Sequence, residues 1–121
     1  MKTPRELVEE AKAQIREVDV DEAERMIDEG APVVDVREPG EHAAGHLPGA
    51  SHVPRGVLEF KLDESPALAD KSAPVVVYCK SGGRSALAAK TLRDLGYPHA
   101  VAMAGGFLAW SAAGKATVTE G

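Results

Sequence analysis

Apolar positions along the chain repeat first at helical spacing, then at strand spacing, and then in alternation. Thr3-Pro4-Arg5-Glu6 has the form of a helix start: Thr as N-cap, Pro in the first turn, Glu three residues on. Leu7, Ala11 and Ile15 follow as a narrow apolar stripe, which predicts a helical extension over residues 1–17 laid on the main domain. Asp19 and Glu22 suit the start of a second helix, with Ala23, Met26 and Ile27 inward and Gly30 at its end. Val33-Val34-Asp35-Val36 is a short β-rich run that breaks at Glu38-Pro39-Gly40. Residues 41–45 fit one helical turn, Ser51-His52-Val53 a short strand stopped by Pro54, and 56–70 a mixed, partly helical stretch.

The strongest strand signal is Val75-Val76-Val77-Tyr78, whose unbroken apolar character suits a strand buried on both faces of a parallel sheet. The polar turn Cys79–Ser85 follows, then a helix through Ala86, Leu87, Ala89, Leu92 and Leu95 that ends at Gly96. Ala100–Met103 predicts another strand, Gly105-Gly106 a turn, and Phe107–Ala113 a last short helix. Strand, helix and strand from 75 to 103 make a βαβ unit. This predicts an α/β fold, a central mainly parallel sheet flanked by helices on both faces. The domain should span 18–114, with a flexible tail over 115–121.

Composition sharpens this picture in three ways. Hydrophobic residues at 44% and charged residues at 27% exclude a disordered chain. Aromatics at 4% leave the core to Val, Leu, Ile and Ala. The net charge of −5 argues against nucleic acid or an anionic membrane as partner. Ten acids against five bases lie in residues 1–31 and nine of each in the remainder, so the remainder can host a local anion site. No apolar run approaches the roughly 18 residues of a membrane span. The first residues are polar and acidic, unlike a signal peptide, so a cytoplasmic location is expected. The lone cysteine, Cys79, excludes an internal disulfide.

Ligands of parallel sheets bind beyond the carboxyl ends of the strands, and Cys79 stands there, directly before a helix. The helix N-terminus contributes roughly half a positive charge. Gly82 and Gly83 free the backbone N–H groups to form a nest around an anion. Both effects favour the thiolate, the nucleophilic form, and Lys80 and Arg84 add positive charge. The alternative is that Cys79 is a small buried hydrophobe. A core cysteine has no need of two glycines, a lysine and an arginine within five residues, so the reactive reading leads. Arg84 in the first turn of a helix costs about 0.3–1 kcal/mol, which a bound anion or a buried carboxylate would offset. Ser81 and Ser85 either cap the helix or touch substrate.

Three stretches in order resemble the rhodanese family, the thiosulfate sulfurtransferases. They are Asp35-Val36-Arg37-Glu38-Pro39-Gly40-Glu41 with Gly45-His46-Leu47-Pro48-Gly49-Ala50, Tyr78–Ser85, and Ala104-Gly105-Gly106-Phe107-Leu108-Ala109-Trp110. The resemblance covers roughly residues 18–114. It implies a small α/β domain, a catalytic Cys79, and substrate binding by Lys80, Ser81, Gly82, Gly83, Arg84 and Ser85. It also implies a mechanism: the Cys79 thiolate takes the outer sulfur of an anionic donor such as thiosulfate. A persulfide then passes that sulfur to cyanide or a thiol. Asp35 and Arg37 resemble the family's charged pair and would orient the loop. Otherwise Asp35 caps a turn and Arg37 is solvated. Arg55, between Pro54 and Gly56, is a candidate for the pocket rim.

The family's phosphatase and arsenate-reducing relatives carry five residues between Cys and Arg, and here four intervene. The shorter ring should cup a sulfur atom better than a tetrahedral oxyanion, which disfavours those activities. A sulfur carrier fed by a partner enzyme, part of a sulfur relay, is the other alternative. His42 and His46 are four apart but lack Cys or carboxylate partners, so no metal and no cofactor are expected, and His46 should be structural. Phe107 and Trp110 read as core.

Overall fold

The computed structural model describes residues 1–119. Five strands, β1 (Arg16–Val18), β2 (Val33–Asp35), β3 (Ser51–His52), β4 (Val75–Tyr78) and β5 (Ala100–Met103), form one sheet in the order β1-β5-β4-β2-β3. Every pairing is parallel. The β4 run is central because all four of its side chains are apolar or aromatic and can be buried on either face. Strand alternation divides them. Val75 and Val77, with Cys79 next in phase, join a core under α5 (Gly83–Asp94) and the 55–68 segment. Val76 and Tyr78 join the opposite core, under α2 (Val20–Asp28) and α6 (Gly106–Ala112). Helices therefore cover both faces, as the α/β reading requires.

Several boundaries differ from the sequence expectation. Helix α1 (Pro4–Gln14) starts on the expected capping box, with Thr3 and Glu6 exchanging two 3.1 Å hydrogen bonds. It packs against α5. After Ile15, Arg16–Val18 form the edge strand β1, which the sequence reading did not contain. Two of its three side chains are solvent-facing, so it lacks an apolar signature, and pairing with β5 alone reveals it. Helix α3 (Pro39–Ala44) begins earlier than the turn expected at 41–45. The stretch expected to be mixed holds α4 (Leu58–Lys61) and three single 3₁₀ turns, the first of which starts at Arg55.

Beyond Gly114, where fraying was expected, the chain is tied at three places. Lys115 Nζ meets Asp21 at 2.9 Å and Glu24 at 2.8 Å. Trp110 Nε1–H donates to the Ala116 carbonyl at 2.8 Å, and Val118 bridges His46 with two 2.9 Å backbone bonds. The end of that predicted tail, residues 120–121, lies outside the described residues. Among the described residues no helix is long and apolar enough to cross a membrane.

Candidate active site

Cys79 directly follows β4, and α5 begins four residues later at Gly83, three residues before the apolar run that signalled it. The turn between is tight because Gly82 takes φ +125°, a backbone state that side chains oppose. That state aims the Gly82 N–H at Cys79 Sγ, 3.0 Å away. The thiol lies 3.4 Å from Ser85 Oγ, and Ser85 donates to the Gly82 carbonyl at 3.2 Å. Ser85 is fully buried and closes this ring. It does not cap the helix, whose N-cap is Gly82. Of the loop amides, that of Gly82 is directed at the thiol, and Cys79 is only 1% exposed, so sulfur sits at the floor of the turn.

The outer side of the loop is held by the start of α6. The Phe107 N–H donates to the Cys79 carbonyl at 2.8 Å and the Leu108 N–H to the Lys80 carbonyl at 3.1 Å. Trans peptide planarity then directs the following N–H groups, those of Lys80 and Ser81, away from α6. The approach is so close that a Cβ on Gly106 would stand 2.5 Å from the Cys79 oxygen and 2.6 Å from the Lys80 carbonyl. Gly106 therefore belongs to the site's framework, beyond the simple turn its sequence suggested.

Asp35 and Arg37 form a buried pair, so Arg37 is not solvated as the alternative had it, while Asp35 does cap the turn through the Arg37 backbone N–H. Arg37 donates from Nε at 3.0 Å, from its terminal nitrogen at 2.8 Å and from its backbone at 2.9 Å. The same guanidinium reaches the Gly45 carbonyl at 2.6 Å. Tyr78 donates its hydroxyl to Asp35 at 3.0 Å, and His42 Nδ1 stands 2.9 Å from the same carboxylate. Burial works against the Asp35 charge, but the bonds from Arg37 and His42 outweigh it and hold the carboxyl below its usual range. Burial pushes the Tyr78 hydroxyl up, so it stays protonated and remains a donor. Arg37 also stacks on Phe107, 4.3 Å from the ring centre. The network thus supports the α6 residue whose amide holds the Cys79 carbonyl. His42, His46 and His52 stack beside it at 3.7 and 4.4 Å. Among the described residues no group of three or more His, Cys, Asp or Glu side chains is placed for a metal.

The remaining expected residues separate. Lys80 and Ser81 are exposed. Arg84 is held by Glu41 of α3 in a two-pronged pair, 2.7 and 3.0 Å, which is the offsetting carboxylate its position demanded. Hydrogen bonding to Arg84 is the first cause of a Glu41 carboxyl lowered to about 2. Glu41 was missed as a site residue. The signal for it was an arginine in the first turn of a helix. The contacts of Arg55 are with Glu59 at 3.2 Å and with Thr91 at 3.2 Å, which places it on the α5 flank, about two turns past Ser85. A cleft of about 210 Å³ beside the loop is lined by Arg37, Glu41, Gly45, Lys80, Phe107 and Leu108. Cys79 adjoins this lining through Lys80.

A parallel α/β sheet with a cysteine on an amide-bearing turn at its carboxyl end defines the class. The model of the rhodanese-like domain family matches residues 19–113, and the chain belongs to that family. The thiosulfate sulfurtransferase GlpE of Pseudomonas fluorescens is 32% identical over 110 residues, spanning 90% of this chain and 96% of its own. A polysulfide-sulfur transferase homodimer from Wolinella succinogenes shares the fold with a TM-score of 0.79 and 33% identity, over 94% of this chain and 85% of its own. A Rhodopseudomonas palustris protein of unknown function, described as a possible tyrosine phosphatase, superposes with a TM-score of 0.84 and 34% identity. That match covers 96% of this chain and 94% of the other.

Proposed function

We propose that this protein is a sulfurtransferase that carries sulfane sulfur as a persulfide on Cys79. The observation that carries the reading is the Gly82 N–H directed at Sγ at 3.0 Å, in a turn whose outer carbonyls are clamped by α6. Fixed donors of this kind stabilise negative charge on sulfur without reorganising. On ionisation of the thiol, the Ser85 hydroxyl can rotate and donate to Sγ as a further bond.

Thiosulfate is the proposed donor. The Cys79 thiolate attacks its outer sulfur, the S–S bond of the donor breaks, and the electron pair leaves with sulfite. The Cys79 persulfide then yields its outer sulfur to cyanide, forming thiocyanate, or to a thiolate, forming a new persulfide. Either acceptor returns Cys79 to the thiolate. The scheme is covalent and two-step, so ping-pong kinetics are expected. The naming of relatives as thiosulfate and polysulfide-sulfur transferases supports this reading.

The Rhodopseudomonas palustris likeness raises phosphate ester hydrolysis as a rival. Two features weigh against it here. Only four residues separate Cys79 from Arg84, and the guanidinium that would hold a phosphate is already taken by Glu41.

The test is thiosulfate-to-cyanide transfer by wild type and by Cys79→Ser, with intact mass of each. Wild type should form thiocyanate and gain about 32 Da per persulfide. The serine variant should fall to the uncatalysed background with no mass gain. Loading of wild type by thiosulfate alone also separates the enzyme from a carrier filled only by a partner. Absence of both persulfide and transfer with every sulfane donor tried would overturn the proposal.

A further inference from the structure

The fixed charges around the Cys79 turn are paired in a way that bears on which donor it accepts. Arg37 is claimed by Asp35. Arg84 is claimed by Glu41, whose Oε1 receives the guanidinium at 2.7 Å and the Glu38 N–H at 3.0 Å, while Oε2 receives the second prong at 3.0 Å. The carboxylate is therefore locked by three bonds from two directions. Lys80 makes no ion pair among the described residues. Lys80 is thus the turn's one cation without a carboxylate partner among the described residues, and Glu38 adds a further carboxylate within electrostatic reach of Arg84. Glu41 itself lines the cleft beside the loop, so an anion entering there meets its carboxylate.

We infer that Glu41, by holding Arg84, sets how the Cys79 turn chooses among sulfane-sulfur donors of different charge, and that it disfavours dianions. The inference rests on the sulfurtransferase reading above and deepens it. A dianion such as thiosulfate gains from each unit of positive charge near the turn and loses from each negative one, about twice as much as a monoanion. An unopposed Arg84 would serve the dianion. A neutralised one leaves the backbone amides to recognise the sulfur itself, with less regard to the leaving group's charge. Glu41 is a positioning residue in this account, acting through a guanidinium and through the potential of the cleft.

The experiment compares kcat/KM for thiosulfate, a dianion, with that for benzenethiosulfonate, a monoanion, in four proteins: wild type, Glu41→Gln, Arg84→Gln and the double variant. Both donors load the same Cys79, so a general distortion of the turn lowers both and cancels in their ratio. The ratio of dianion to monoanion should rise about tenfold in Glu41→Gln, chiefly through KM for thiosulfate, and fall about tenfold in Arg84→Gln. It should return to the wild-type value in the double variant, whose charge sum is restored. The differences should shrink as salt is raised. If Glu41→Gln does not fold, the fall in Arg84→Gln and its reversal in the double variant carry the test. A ratio that stays within about twofold across the set, or that moves the same way in both single variants, overturns the inference alone. A wild type that draws sulfur from neither donor overturns the sulfurtransferase reading, and this inference with it.

Discussion

Two loops meet at the carboxyl end of the sheet's centre, and they are built in opposite ways. The loop after β2 is held by side chains. Asp35, Arg37, Tyr78 and His42 bury their charged and polar atoms and satisfy one another. The loop after β4 is held by backbone. Its carbonyls are bound by α6 amides, its Gly82 amide points at sulfur, and its own charged side chains turn outward or pair elsewhere. A buried side-chain charge must be matched by a partner, because an unmatched one is costly. Backbone dipoles carry no net charge, so they can stay poised for an anion that comes and goes. One loop therefore supplies rigidity and the other supplies chemistry. Phe107 joins them, with Arg37 on its ring and Cys79 on its amide.

The comparison breaks most directly at Asp35. Asp35→Ala leaves Arg37 buried without its carboxylate and should cost about 3–5 kcal/mol of stability, read from urea unfolding. A midpoint equal to wild type would show that the side-chain loop is not what secures this end of the sheet. Next in size is Gly106→Ala. Its Cβ would stand 2.5 Å from the Cys79 oxygen, at a residue with φ +56°, so the clamp must move. A cost of about 1–3 kcal/mol is expected. A shift of the turn should also lower sulfur transfer by about 10- to 100-fold, more than the stability loss alone explains. Activity retained by a folded Gly106→Ala would separate the α6 clamp from the chemistry.

The smallest effect has the opposite sign. Gly83 begins α5 with an ordinary φ, and a Cβ there would meet only Val8 Cγ2 at 3.8 Å. Gly83→Ala should therefore raise stability by about 0.4–1 kcal/mol through the unfolded chain. A loss on urea unfolding would mean that α1 sits tighter on the turn than this contact distance indicates.

Much of the framework was legible because it depends on local chemistry. The capping box at Thr3, the four-residue apolar run of β4, the turn after it and the helix beyond are each written in neighbouring residues. Strand phase alone predicts that Val75, Val77 and position 79 share a face, and they do. The candidate site was legible in the same measure. Cys79 and Gly82 lie within one short turn, and the Arg84 position called for an anion, bound or built in, without deciding which. Glu41 is 43 residues away, and although it closes the first of the resembling stretches, nothing local marks it as the partner of Arg84. Nothing in the sequence gave the Tyr78 hydroxyl a partner, since it finds Asp35 across the pairing with β2. β1 left no trace because an edge strand with two exposed side chains needs no apolar pattern.

The linear order of residues determined where the thiol stands, which strand delivers it and why two glycines follow it closely. Those are consequences of spacing and of allowed backbone angles, which act over a few residues. Folding in three dimensions decided the partners: that α6 would grip the loop carbonyls, that Arg84 would be taken by Glu41, and that Arg55 would turn to Thr91 on the flank of α5. Charges and hydrogen-bond donors act over a few ångströms of space whatever their separation along the chain, so their matches exist only once the sheet has brought distant segments together.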